Sequence, residues 1–156
     1  MIPNPTVLSN HRQLYPLSCV PMSVELVLKL LDKLPLGDFG FQLQLGPNVP
    51  GDFVDYDGRQ INGVTFKKEF SEPRGPQFPL TDLFERMKQE IAADRYVIVS
   101  LKRSGNWHMY VVHAYDPSTD EFEAVTVELN GVGQPITDVK RRITQMQGTD
   151  ILTYTI

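Results

Sequence analysis

The chain contains one cysteine in 156 residues. One cysteine forms no internal disulfide, so oxidation does not staple this fold, and a Cys-rich zinc site is excluded. Histidine is scarce too, with three residues, His11, His108 and His113, that lack metal-ligand spacing. No run approaches the ~20 apolar residues of a membrane span. The opening Met1-Ile2-Pro3-Asn4-Pro5 carries neither the basic start nor the apolar stretch of a signal peptide. These absences point to a soluble, cytoplasmic protein without membrane attachment. A net charge of −4 disfavours a phosphate backbone as partner. No metal and no other cofactor is expected. With 41% apolar and 22% charged residues, the chain has the composition of a single globular domain spanning 1–156.

Residues 1–12 are polar, hold two prolines, and read as an extended lead-in. A loop over 13–18 follows, and the first helix begins after Ser18, whose hydroxyl suits an N-cap. Pro21 fits the first turn, which needs no intrahelical N–H. Val24, Val27, Leu28 and Leu31 recur at helical spacing, as do Leu26, Leu30 and Leu34, until Pro35 and Gly37 stop the helix. Glycine and proline then punctuate residues 35–80, a loop-rich excursion whose aromatic residues call for burial as a flap over the core. Within it, 39–45 and 61–66 read as short strands. A second helix starts at Thr81 as N-cap, with Leu83, Phe84, Met87 and Ile91 as its apolar stripe. Strands are expected at 96–101, 108–115, 122–129 and 151–156, with turns at Ser104-Gly105-Asn106, at 116–120 and at Asn130-Gly131. Lys140-Arg141-Arg142 reads as a solvated basic face rather than a nucleic-acid site. Helices followed by a run of strands define an α+β protein with an antiparallel sheet packed on its helices.

Chemistry concentrates at Cys19. It opens a helix, where backbone N–H groups and the dipole favour an anion and pull a thiol toward thiolate. An imidazole nearby would raise that population further. His108 stands at the mouth of a strand after a Gly-Asn turn, where a rigid sheet can hold a general base. His113 has the opposite parity on the same strand, so only one of the two can face a given site. His11 lies on a polar loop away from any such frame. Gln13, six residues before the cysteine, offers a side-chain amide that could donate to an oxyanion.

Gln13-x5-Cys19 opening a helix, the helix-then-strand unit over 80–101, and Trp107-His108-Met109-Tyr110-Val111-Val112 running to Tyr115-Asp116 together resemble the papain-like cysteine peptidases. They are most similar to the small bacterial ones that process bacteriocin leaders. The resemblance implies that Cys19 is the nucleophile, His108 the base and acid, and Gln13 an oxyanion donor, with a peptide or protein as substrate. Val20 stands where the family has Gly or Trp after its cysteine. The family's third member is an Asn or Asp on the strand after the histidine. If Asp116 pairs with Glu121, an unbroken ladder sets His108 opposite residue 129, and the polar side chains nearby are Thr126, Glu128 and Asn130. Thr126 or Glu128 then orients the ring, or the site is a dyad. Asp116 is roughly 26 Å away along the strand. The expected activity is cleavage of a peptide or amide bond through a Cys19 thioester. Deamidation and acyl transfer use the same parts, and a non-catalytic papain-like binding module is the alternative of another class.

Overall fold

The computed structural model describes residues 1–129, 131 and 133–156. The polar lead-in is a helix, α1 (Pro5–Asn10), rather than extended chain. Its start is local: the Asn4 side chain accepts the Thr6 N–H at 2.9 Å, and Pro5 occupies the first helical position. Helix α2 (Cys19–Leu30) is buried along most of its length. Ser18 stands at its N-cap position but does not cap it through the side chain, because the hydroxyl donates to Gln42 Oε1 at 2.7 Å.

The stretch expected as a strand at 39–45 forms helix α3 (Gly40–Leu45). The buried Glu25 carboxylate on α2 accepts the N–H groups of Phe41 and Gln42, at 2.9 and 3.2 Å, and so satisfies the first turn of α3 from outside. Gln42 Nε2 donates back to Glu25 Oε1 at 2.7 Å. A 3₁₀ turn (Phe53–Tyr56) leads into β1 (Gln60–Ile61) and β2 (Val64–Glu69), a small hairpin where one strand was expected at 61–66. Asn62 and Gly63 both take positive φ, 51° and 85°, and reverse the chain between them.

Helix α4 (Leu80–Ala92) starts from Pro79, so Thr81 lies inside its first turn and does not cap it. Strands β3 (Val97–Arg103), β4 (Asn106–Asp116) and β5 (Glu121–Val125) form a meander, followed by helix α5 (Val139–Met146) and strand β6 (Ile151–Thr155). The expected Asn130-Gly131 turn falls on Asn130, which lies outside the described residues. The basic cluster belongs to α5 and is ion-paired, Lys140 with Asp120 and both Arg141 and Arg142 with Asp138. This disposition fits a solvated face.

The six strands make one antiparallel sheet in the order β1-β2-β6-β3-β4-β5, which is the α+β architecture expected. One face packs on α2 through Ile98, Met109, Val111 and Leu152. The other packs on α4 and α5 through Val97, Val99, Leu101, Tyr110 and Phe122. Alternation along β4 sends Met109 and Val111 to α2 and Tyr110 and Val112 to the opposite side. Among the described residues, no helix is long and apolar enough to cross a membrane.

The β4–β5 ladder runs Asp116↔Glu121, Tyr115↔Phe122, Ala114↔Glu123, then skips His113 and resumes at Val112↔Ala124 and Val111↔Val125. This β-bulge shifts the register by one residue relative to the unbroken ladder expected from sequence. Extended onward, it sets Thr126 against Tyr110 and residue 128, not 129, against His108.

Candidate active site

Cys19 occupies the first position of α2 and is half-buried. The backbone N–H groups of Cys19, Val20 and Met109 all favour its thiolate. Met109 follows His108 directly, so the sulfur lies beside the peptide joining those two residues. Cys19 and His108 line the same groove, a concavity of about 920 Å³, together with Gln13, Trp107, Arg103 and Glu128. The thiol comes to the groove from the helix terminus and the ring from strand β4.

The ionisation runs against expectation. Burial pushes the Cys19 thiol above its ordinary range, outweighing the pull of the three N–H groups and of Arg103. His108 is driven down to about 4, by burial first and the Arg103 charge second, while Glu128 and the Val127 carbonyl act in the other direction. Both shifts favour the uncharged thiol and imidazole over a thiolate–imidazolium pair. Desolvation is the largest effect on each group and exceeds the opposing pull of Arg103 on the thiol and of Glu128 on the ring.

Thr126 takes the position that orients the ring. Its Oγ1 lies 2.8 Å from His108 Nε2 and donates its own proton to the Met109 carbonyl at 2.8 Å. A hydroxyl has one proton. With that proton committed, Oγ1 accepts from Nε2–H, and the free base of the ring is Nδ1. Thr126 is held in turn by the backbone. A Cβ on Gly133 would lie 1.9 Å from the Thr126 carbonyl oxygen, so only glycine lets that segment pass.

The other expected site residues divide. Glu128 lines the groove but does not hold the ring, because its carboxylate is bonded to Arg103 at 2.6 Å. Its backbone carbonyl accepts the Gln13 N–H at 3.3 Å and ties the Gln13 loop to the segment after β5. Gln13 is buried in the groove wall, but both amide protons are spent on its own loop. Nε2 donates to the Tyr15 carbonyl at 2.7 Å and to that of Pro16 at 3.2 Å. The atom left without a partner is Oε1, an acceptor, so in this conformation Gln13 is not an oxyanion donor. Asp116 stays at the hairpin tip, where it accepts from Ser118.

His113 occupies the bulge and donates from Nδ1–H to the Met1 carbonyl, 2.9 Å away. His11 is buried beside α2, where Lys29 Nζ donates to its Nδ1 at 2.9 Å and the Met22 carbonyl lies 2.8 Å from its Nε2. Neither ring belongs to the groove. Sequence reasoning missed Arg103, whose charge acts on both Cys19 and His108. It also missed the Met109 N–H and Gly133, because each acts through the backbone or through an electrostatic effect that no motif encodes. No protein-family model matches this chain, and no curated protein matches its sequence.

Proposed function

We propose that the protein is a papain-like cysteine hydrolase that cleaves a peptide or amide bond of a peptide or protein through a thioester on Cys19. One observation carries this reading: the thiol at the start of α2 lies beside the His108–Met109 peptide in an open groove, and Thr126 leaves Nδ1 of His108 as the free base. Because both partners rest uncharged, the thiol proton moves to Nδ1 as sulfur attacks the carbonyl carbon, rather than beforehand. The tetrahedral intermediate collapses as the imidazolium gives that proton to the leaving nitrogen and the C–N bond breaks. Water, deprotonated by the same ring, then attacks the thioester and releases the acid with the thiol restored. Deamidation changes only the substrate, and acyl transfer only the acceptor. Oxyanion donation by Gln13 requires its amide to leave the Tyr15 and Pro16 carbonyls.

The neutral resting pair and the tied Gln13 amide favour a second reading, a groove of the same shape that binds without cutting. An epoxysuccinyl peptide separates the two, because ring opening by Cys19 needs a proton from His108 while simple binding does not. Labelling of Cys19, located by mass spectrometry, is expected to fall about a hundredfold or more in His108→Ala. Equal labelling of the wild type and His108→Ala would leave only the binding groove.

A further inference from the structure

We propose that Trp107, Arg74 and Lys102 form a subsite that seats an acidic side chain of a peptide lying in the groove. This rests on the reading above that the groove holds a peptide. Trp107 is the single tryptophan of the chain, yet it is 41% exposed and lines the groove. Leu17 and Leu129, also exposed, line the same groove and make its rim apolar. Two cations converge on the indole from different parts of the chain. The Arg74 guanidinium, from the loop before α4, lies 4.9 Å from the ring centroid, and Lys102 Nζ, from β3, lies 5.7 Å from it.

Lys102 stands against the indole outside the groove lining, and the lining cations other than Arg74 are matched. Arg103 is paired with Glu128 at 2.6 Å and Lys68 with Asp150 at 3.8 Å. Among the described residues, neither Arg74 nor Lys102 has a carboxylate within ion-pair distance. Both cations lend positive charge to the indole, and an anion placed beside it is attracted by both. Trp107 lines the same groove as Cys19 and His108, so this spot belongs to the surface around the proposed chemistry.

A carboxylate on a peptide fits better than a nucleic-acid backbone. The groove also carries Asp52, Glu72 and Asp150, and the whole chain has a net charge of −4, so a polyanion would be repelled along most of its path. A single Glu or Asp on an otherwise uncharged segment is drawn to the two cations and meets the groove's carboxylates at one point rather than along its length.

The test uses the full-length Cys19→Ala protein, so that binding is read without turnover, and the fluorescence of Trp107, which no other indole obscures. The probes are three pools of blocked octapeptides, identical except for a central Glu, Gln or Lys. The Glu pool is expected to shift the emission at several-fold lower concentration than the Gln pool. Each cation contributes up to about fivefold. Arg74→Ala combined with Lys102→Ala should abolish the Glu preference, Arg74→Glu should turn it toward the Lys pool, and Glu72→Gln should strengthen it. Circular dichroism checks that the variants are folded. Equal responses to Glu and Gln, a Glu preference that survives in the double variant, no response to any pool, or a stronger response to an oligonucleotide would each overturn the subsite. Epoxide labelling in the wild type reports on hydrolysis separately. Labelling without Glu preference removes only the subsite, and Glu preference without labelling leaves an acidic-peptide groove that does not cut.

Discussion

Replacing Thr126 by valine removes one hydroxyl and keeps the shape of the side chain. That hydroxyl is buried and makes two bonds of 2.8 Å, accepting from His108 Nε2 and donating to the Met109 carbonyl. Its loss leaves a ring N–H and a carbonyl without partners in a dry place. A buried group orphaned in this way costs roughly 1–3 kcal/mol, so the pair should cost about 2–6 kcal/mol. At about 3 °C per kcal/mol for a domain of this size, the melting midpoint should fall by ~6–18 °C. The second consequence is electronic. One net hydrogen bond of ~1 kcal/mol corresponds to a roughly fivefold preference for the tautomer with the proton on Nε2, and the variant loses that preference. Nitrogen-15 NMR of the imidazole above pH 6, where the ring is neutral, reads the tautomer directly. Epoxide labelling of Cys19 should slow by about fivefold and not by orders of magnitude, because a hydroxyl orients the ring without carrying charge. A wild-type ring protonated at Nδ1, or a Thr126→Val protein with unchanged melting and unchanged ring resonances, would refute the assignment.

Three further outcomes are expected. Because burial holds the thiol above its ordinary range, iodoacetamide should alkylate Cys19 at pH 7 more slowly than it alkylates free cysteine. A measured thiol pKa below ~8.5 would contradict the neutral pair. His11 and His108 both titrate at about 4 in the fold against 6.5 for the free side chain. The unfolded chain therefore binds their protons first, and the stability present above pH 6.5 is lost as pH falls toward 4. The loss between pH 7.5 and 5 should be about 2 kcal/mol per ring, visible in urea titrations and reduced in His11→Asn; a flat profile excludes buried neutral rings. Asp116→Ala should leave the epoxide labelling rate of Cys19 within error of the wild type, since its carboxylate serves only the Ser118 turn, and a collapse of labelling would mean that it reaches the site.

The parts of the fold legible in the sequence are those whose information is local. Helix α2 and strands β3, β4 and β6 carry dense apolar patterns, and each forms close to where its pattern lies. Helix α3 escaped because its start is satisfied by Glu25, some 16 residues earlier in the chain, and no window around Phe39 contains that partner. Helix α5 escaped because it buries only Val139 and Ile143, too few positions to set a period. At the site, the chain showed which residue types were present and left Thr126 and Glu128 as candidates, but the unbroken ladder it implied was one residue out of register there. It could not show that the thiol would be half-buried, because the groove around Cys19 is walled by strands and loops from five other stretches of chain. Gln13 shows the same limit: its spacing to Cys19 is visible, but the carbonyls of Tyr15 and Pro16 decide which way its amide points.

The skipped residue in the β4–β5 ladder works as a phase shifter. On the hairpin side of His113 the two strands are in one phase, and on the Cys19 side they are in another. Were the ladder in a single phase throughout, Val127 would stand against Tyr110, and the ring of His108 would share its face with aliphatic carbon rather than with a hydroxyl. Drawing His113 into the ladder against Ala124 would thus edit the chemistry five residues away without touching the reacting groups, whereas deleting it would leave Val112↔Ala124, and so the pairing at His108, as it is. Lengthening or shortening the loop over 116–120 has no such reach, because the phase is set downstream of it. The bulge divides the hairpin into a tip whose length is free to vary and a base whose length is part of the site.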